Sequence, residues 1–376
     1  MKKCIIISDS FKGTLSSLEI CKIARQSVPR FFPECDVVTV PVADGGEGTV
    51  ECFLEAIQAV PVTVPASGPY GETVEATYAR SGSRAVVEMA STAGLPMVGN
   101  RRDPAETTTY GVGQVVRHAV EHGCTEILLG LGGSATNDGG CGAAAALGVK
   151  FYDQAGRTFV PLGKNLDQIC RIDVSAAKQL LRSAKITVMC DVENPLFGTT
   201  GAAHVFGPQK GADEEMVRFL DSQLRKFDET LQRELRCSIA QVPGSGAAGG
   251  MGAGCMAFLD AELKSGIEAV LDMVNFNRCL EGADLVITGE GRIDSQSLHG
   301  KVISGIVKRT SPRQIPLVAI VGGIADSADS AYDLGITAMF GIDREAVAFE
   351  TYAHKTRENY QRTLEDILRL IRAMKK

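Results

Sequence analysis

Cys4-Ile5-Ile6-Ile7-Ser8-Asp9-Ser10-Phe11-Lys12-Gly13 opens the chain with an apolar run that breaks into a polar, glycine-containing loop. Residues 4–8 read as a buried β-strand and residues 9–14 as the loop leaving it. Ser16-x-x-Glu19 then has capping-box spacing ahead of an apolar helix carrying Ile20, Ile23 and Ala24, which stops near Pro29. Residues 37–42 form the next apolar strand. Continuous apolar strands separated by helices are what a parallel sheet covered on both faces requires. Residues 284–288, 316–321 and 336–340 repeat this style at the far end, two of them running into glycine loops. The two ends are expected to build one doubly wound α/β domain of Rossmann or flavodoxin-like type, from residues 1–66 and 283–376.

The middle has another character. Residues 74–78 and 85–89 flank Ser81-Gly82-Ser83 in a hairpin pattern, and residues 149–152 and 157–160 flank Gly156 in a second. Val112, Val115, Val116, Ala119 and Val120 follow helical spacing, and Asp213 is placed to cap a helix reaching about Leu235. Hairpins inside an otherwise β/α chain predict an inserted α+β domain, residues 67–282. Two crossings between domains leave a cleft, where the active site is expected.

Composition removes several classes. The chain has 376 residues, with 39 Lys and Arg against 45 Asp and Glu, a formal charge of −6 and no basic block, so nucleic acid is not an expected partner. Its 11 cysteines are odd in number and never at C-x-x-C spacing, which suits reduced thiols in a cytoplasm. No apolar run approaches the roughly 18 residues of a membrane span, and the four-residue run after Lys3 is too short for a signal segment. Glycine is the outlier, at 41 residues, and it is clustered.

The clusters are Asp9 to Gly13, Asp44-Gly45-Gly46-Glu47-Gly48-Thr49, residues 131–140, residues 244–254 and Thr288-Gly289-Glu290-Gly291-Arg292-Ile293-Asp294. Glycine loops after strands, with acids and cations between the glycines, are what phosphate and metal sites use. Walker A is absent, because neither Gly163-Lys164 nor Gly300-Lys301 has the required flanks. Gly244-Ser245-Gly246-Ala247-Ala248-Gly249 matches G-x-G-x-x-G but follows Pro243 rather than a good strand. It offers unobstructed backbone N–H groups to phosphate oxygens, and close helix packing explains the same glycines equally well. For each acid, loop capping competes with a ligand role; for Lys12, Arg292 and Lys301 the competitor is a plain surface charge.

Taken together, DSFKG (9–13), PVADGGEGT (41–49), LGGSATNDGG (131–140), DVENPLFGTTGA (191–202), FGPQKGA (206–212), GSGAAGGMG (244–252) and TGEGRIDSQSLHGK (288–301) resemble the bacterial type-1 glycerate kinase family. The resemblance covers essentially the whole chain in order. One departure is Ile303, two residues after Lys301, where a proline is expected. The resemblance implies phosphorylation of D-glycerate by ATP with Mg²⁺, mainly at the 2-hydroxyl to give 2-phosphoglycerate, by two α/β domains with the site between them.

Residue roles follow from chemistry, not from the family. Asp294 is the candidate proton acceptor, with Lys12 and Lys301 as catalytic cations. Gly132, Gly133, Ser134, Asn137, Gly246, Gly249 and Gly250 are the candidate ATP phosphate contacts. Ser10, Asp44, Gly45 and Arg292 are assigned to the substrate, and Asp191 and Glu290 to the metal. Glycerate and ATP are the expected partners, and the chain is expected as a monomer or homodimer. Three alternatives stay open: a kinase giving 3-phosphoglycerate, a nicotinamide-dependent hydroxy-acid dehydrogenase using residues 244–249, and a binding protein with the same cleft but no turnover.

Overall fold

The computed structural model describes residues 1–11, 13–43, 45–294, 302–344 and 353–374. The strands among them are, in chain order, β1 (Lys3–Ser8), β2 (Asp36–Pro41), β3 (Val60–Ser67), β4 (Thr73–Ser81), β5 (Arg84–Glu88), β6 (Glu126–Gly130) and β7 (Lys150–Tyr152). They continue with β8 (Thr158–Phe159), β9 (Arg171–Asp173), β10 (Lys185–Met189), β11 (Glu262–Lys264), β12 (Leu285–Ile293), β13 (Leu317–Ile324) and β14 (Ala338–Gly341). Two compact units result. The first is Met1–Ala43 with Glu55–Ile57 and Gly266–Lys376, and the second is Asp44–Leu54 with Gln58–Ser265.

The first unit is built on a parallel sheet of order β14-β13-β12-β1-β2. β1 lies between its neighbours, with Ile6 opposite Ile287 on one side and Thr39 on the other. Strands from the two ends of the chain thus share one sheet, as their apolar character predicts. Helix Ser17–Phe31 starts on the expected capping box: the Glu19 amide donates to Ser16 Oγ at 3.2 Å, and Glu19 Oε2 accepts from the Ser16 amide at 3.0 Å. Its buried face, Ile20, Ile23, Ala24 and Val28, shares a core with Tyr360, Leu364, Ile367 and Leu368 of helix Thr356–Met374.

One expectation needs correcting here. Thr288-Gly289-Glu290-Gly291-Arg292 is not a glycine loop but the second half of β12, which pairs with β13 out to Ile293. The glycines serve the approach of the two backbones. A Cβ at Gly289 would fall 2.0 Å from the Ile320 carbonyl oxygen, and one at Gly322 would fall 2.2 Å from that of Gly291. Glycine inside a strand commonly marks such close contact.

The second unit has a six-stranded sheet of order β11-β10-β6-β5-β4-β3. β3 and β4 are antiparallel, as are β4 and β5, and the latter pair is the predicted hairpin. From β5 to β11 the pairing is parallel, so this unit is more α/β in kind than its hairpins suggest. The second expected hairpin is β7 with β8, extended by β9. Val112, Val115, Val116 and Ala119 are the buried stripe of helix Tyr110–Glu121, and Asp213 caps helix Glu214–Leu235 by accepting from the Met216 amide at 2.8 Å. β3 lies in this unit because it pairs along its whole length with β4. Among the described residues no helix is long and apolar enough to cross a membrane.

Candidate active site

In the second unit, the segment after β6 is held by its neighbours at almost every residue. The Gly132 amide donates to the Gly45 carbonyl at 2.9 Å, Leu95 donates to the Gly133 carbonyl at 2.7 Å, and Ala135 donates to Ala93 at 2.8 Å. Gly130 and Gly132 must be glycine, since added Cβ atoms would sit 2.3 Å from the Gly45 oxygen and 2.5 Å from the Gly46 Cα. Gly45 thus acts as a backbone partner of this loop. Gly132 and Gly133 remain accessible while Ser134 to Gly140 are buried.

Two buried charges fix the loop. Asp138 is fully buried, and its carboxylate accepts from the Thr109 amide (2.8 Å), Thr109 Oγ1 (2.9 Å), the Gly140 amide (3.0 Å) and the Gly142 amide (3.2 Å). Burial pushes this carboxyl up from its ordinary value, against the pull of those four donors. Asp138 ties the loop to the starts of helices Tyr110–Glu121 and Cys141–Ala146, the capping role weighed for every loop acid. Lys210, only 2% exposed, ends the turn Pro208–Lys210, and its Nζ donates to Ser134 Oγ at 2.9 Å and the Thr136 carbonyl at 2.7 Å. Burial pulls its ammonium down to about 7, with Asp138 acting in the opposite direction. Asn137, 1% exposed, has no hydrogen-bond partner for Oδ1 or Nδ2 among the described residues, and Thr136 Oγ1 has none either. Buried polar atoms left unpaired are rare and point to an unseen water or ligand.

Behind this loop lies the 244–254 segment. Gly246, Gly249 and Gly250 are buried. A Cβ at Gly249 would fall 2.0 Å from the Thr136 oxygen, one at Gly250 would fall 3.0 Å from the Gly139 Cα, and one at Gly246 would fall 2.1 Å from the Pro195 oxygen. Ala248, Gly249 and Gly250 all have positive φ. Backbone packing accounts for these glycines, which back the loop instead of facing outward beside Gly133. The G-x-G-x-x-G match also lacks a preceding strand, so it is not a dinucleotide fingerprint, and the dehydrogenase alternative loses its footing.

The same strand edge carries further groups. Asp191 is exposed two residues beyond β10. Glu88 ends β5 and is buried, and its Oε1 accepts from the Val50 amide at the start of helix Thr49–Ala56. Burial pushes its carboxyl up, while that amide and the Gly48 amide pull it down.

In the first unit, the carboxyl ends of β1 and β12 lie together. The Asp9 amide donates to the Gly289 carbonyl at 2.9 Å, and Asp9 Oδ1 accepts from the exposed Ser10 amide at 2.6 Å. Glu290 is buried within β12, Arg292 is exposed on the same strand, and Asp294 is half-buried just past its end. Ser10, Glu290, Arg292 and Asp294 are thus brought to one edge, where α/β sheets bind ligands. Lys12, Asp44 and Lys301 lie outside the described residues.

A sequence model of the glycerate kinase family matches residues 4–372. The chain is 42% identical to a glycerate kinase of Bacillus cereus over 97% of both chains, and 44% identical to the glycerate 2-kinase of Escherichia coli K12 over 90% of each. A crystal structure assigned as glycerate kinase 2 of Salmonella typhimurium LT2 superposes with a TM-score of 0.88 at 40% identity, covering 100% of this chain and 99% of that one. The chain belongs to the glycerate kinase family.

Two buried groups of this unit, Glu88 and Lys210, were not among the candidates, whereas Asp138 was one of the loop acids and takes the capping role weighed for them. Glu88 was signalled only by a carboxylate closing an apolar strand. Lys210 was signalled by its place between Pro208 and Gly211, residues that make a rigid turn.

Proposed function

We propose that this protein transfers the γ-phosphoryl group of ATP to the 2-hydroxyl of D-glycerate, giving 2-phosphoglycerate and ADP. The observation that carries the reading is the loop 131–140 in a chain that matches the glycerate kinase family over residues 4–372. It has accessible backbone at Gly132 and Gly133, a buried lysine bonded to its interior, and an Asn137 side chain with no partner among the described residues. Phosphoryl transfer asks for positioning and for stabilisation of spread negative charge, which preorganised backbone donors and a cation provide.

In this reading Gly132, Gly133, Ser134 and Asn137 meet the nucleotide phosphates, and Gly246, Gly249 and Gly250 support them from behind. Asp294 takes the hydroxyl proton, aided by Lys12 and Lys301. Ser10, Asp44, Gly45 and Arg292 serve glycerate, with Arg292 suited to its carboxylate. Mg²⁺ carried on nucleotide phosphates needs only one or two protein carboxylates; exposed Asp191 suits that task better than Glu290, which is 6% exposed. The ion would neutralise developing charge on the phosphoryl oxygens. The proposal extends to a cytoplasmic location, favoured by eleven free cysteines, and to a monomer or homodimer.

The test is incubation with Mg·ATP and D-glycerate, with the product identified by phosphorus NMR. The 2-phosphate with ADP is expected, and glycerol should react far more slowly. The 3-phosphate would reverse the regiochemistry, equal rates with glycerol would remove the carboxylate clamp, and no ADP would remove the activity.

A further inference from the structure

The unexplained feature of the second unit is a lysine inside it. Lys210 pairs with no carboxylate among the described residues, and both acceptors its Nζ has there belong to one loop, 74 and 76 residues away in sequence. Its backbone is fixed in advance. The Lys210 amide donates to the Gly207 carbonyl at 2.9 Å, and Gly211 has φ +99° with a would-be Cβ 2.5 Å from the Arg102 carbonyl oxygen. An unpaired ammonium in a protein interior is costly, and an apolar side chain of similar length would fill the space more cheaply. Its worth must lie in what it does to Ser134 and Thr136.

In the bond to Ser134 the Lys210 Nζ is the donor, and once protonated it cannot accept. The Ser134 oxygen is therefore the acceptor of the Lys210 bond, and the Ser134 hydroxyl proton is left to donate elsewhere. Beside it, Asn137 offers an amide with no partner among the described residues, and the Thr136 carbonyl between them is held by the same Nζ. We propose that Lys210 is a positioning residue for the nucleotide: it turns the Ser134 hydroxyl into a donor for a phosphate oxygen and stiffens the segment 134–137 for that contact. The proposal rests on the reading of loop 131–140 as the phosphate site.

Isothermal titration of ADP and ATP against Lys210→Met, Ser134→Ala, Asn137→Ala and the double variant Lys210→Met/Ser134→Ala separates the possibilities. Lys210→Met should weaken nucleotide binding ten-fold or more and leave the KM for glycerate within two-fold. Ser134→Ala should weaken it similarly, and the double variant should be little worse than the weaker single one, because the two act through one bond. Lys210→Arg, which keeps the charge, should recover part of the loss. If Ser134→Ala and Asn137→Ala weaken binding but Lys210→Met does not, the lysine has no positioning role although the loop reading stands. If Ser134→Ala and Asn137→Ala leave nucleotide binding unchanged, the loop reading itself falls. Additive losses for Lys210 and Ser134 would overturn the shared bond. Should Lys210→Met fail to fold, the cycle of Lys210→Arg with Ser134→Ala decides by the same criterion.

Discussion

Lys210 makes a pH-dependent contribution to stability with a definite sign. Its ammonium falls from an ordinary 10.5 to about 7 in the folded chain. Between those values the unfolded chain holds a proton that the native chain has released. Stability therefore rises with pH across that window, and below pH 7 the buried charge opposes folding in full. The gap between 10.5 and about 7 corresponds to roughly 5 kcal/mol at most. Between pH 7 and pH 9 the wild-type chain should gain about 2 kcal/mol from this group alone.

Replacing Lys210 with Met removes the titrating group, so the variant should lack that gain. The Ser134 oxygen and the Thr136 carbonyl then lose their donor, a pH-independent cost of about 1–3 kcal/mol, which moves the variant's curve without tilting it. The measurement is urea unfolding at pH 7, 8 and 9 without nucleotide, followed by far-UV circular dichroism because the chain has no tryptophan. The quantity that matters is the difference in slope between wild type and variant. Curves that run parallel within about 0.5 kcal/mol would refute a depressed lysine, and a wild type losing stability relative to the variant would reverse the sign.

Gly249→Ala places a Cβ 2.0 Å from the Thr136 oxygen at φ +69°, so denaturant melts should show a loss of about 3 kcal/mol from overpacking and left-handed strain together. Asp138→Asn turns one acceptor oxygen of a fully satisfied carboxylate into a donor facing N–H groups, and should cost about 2–3 kcal/mol in the same assay; an unchanged midpoint would remove Asp138 as the hub of the loop. Asp294→Asn and Asp191→Asn should each lower kcat by roughly 10²-fold or more without unfolding. Excess Mg²⁺ or Mn²⁺ should partly rescue Asp191→Asn alone, and rescue of Asp294→Asn instead would exchange the two assignments.

What could be read from the chain was local. The Ser16 and Glu19 box, the Val112 to Ala119 stripe and the Asp213 cap all depend on partners within one or two turns. The residues themselves declare such contacts. The parallel pairing of β6 with β10 joins Ile127 to Ile186 across the intervening chain, and nothing near either strand specifies it. The glycines of β12 misled for a related reason. In isolation Gly289 and Gly291 signal a turn, whereas the strand thirty residues on demands the missing side chain of Gly289 at Ile320, and Gly291 lies where Gly322 must itself be bare.

The candidate site divides along the same line. Asp294, Arg292 and Ser10 were legible because polar residues following apolar strands fall at a sheet's carboxyl edge by topology alone. The burial of Glu88, Asp138 and Lys210 was not, because burial of a charge is a property of everything packed around it. A lysine in a sequence is a surface residue by default; Lys210 departs from that only because Ser134 and Thr136 come to it from a distant loop. The glycines of 244–254 show the converse. They look like a ligand motif, yet Gly246, Gly249, Gly252 and Gly254 are required by a neighbouring backbone. Around loop 131–140 the glycines mark where backbones meet, and Asp138 and Lys210 are the buried charges that fix that meeting place.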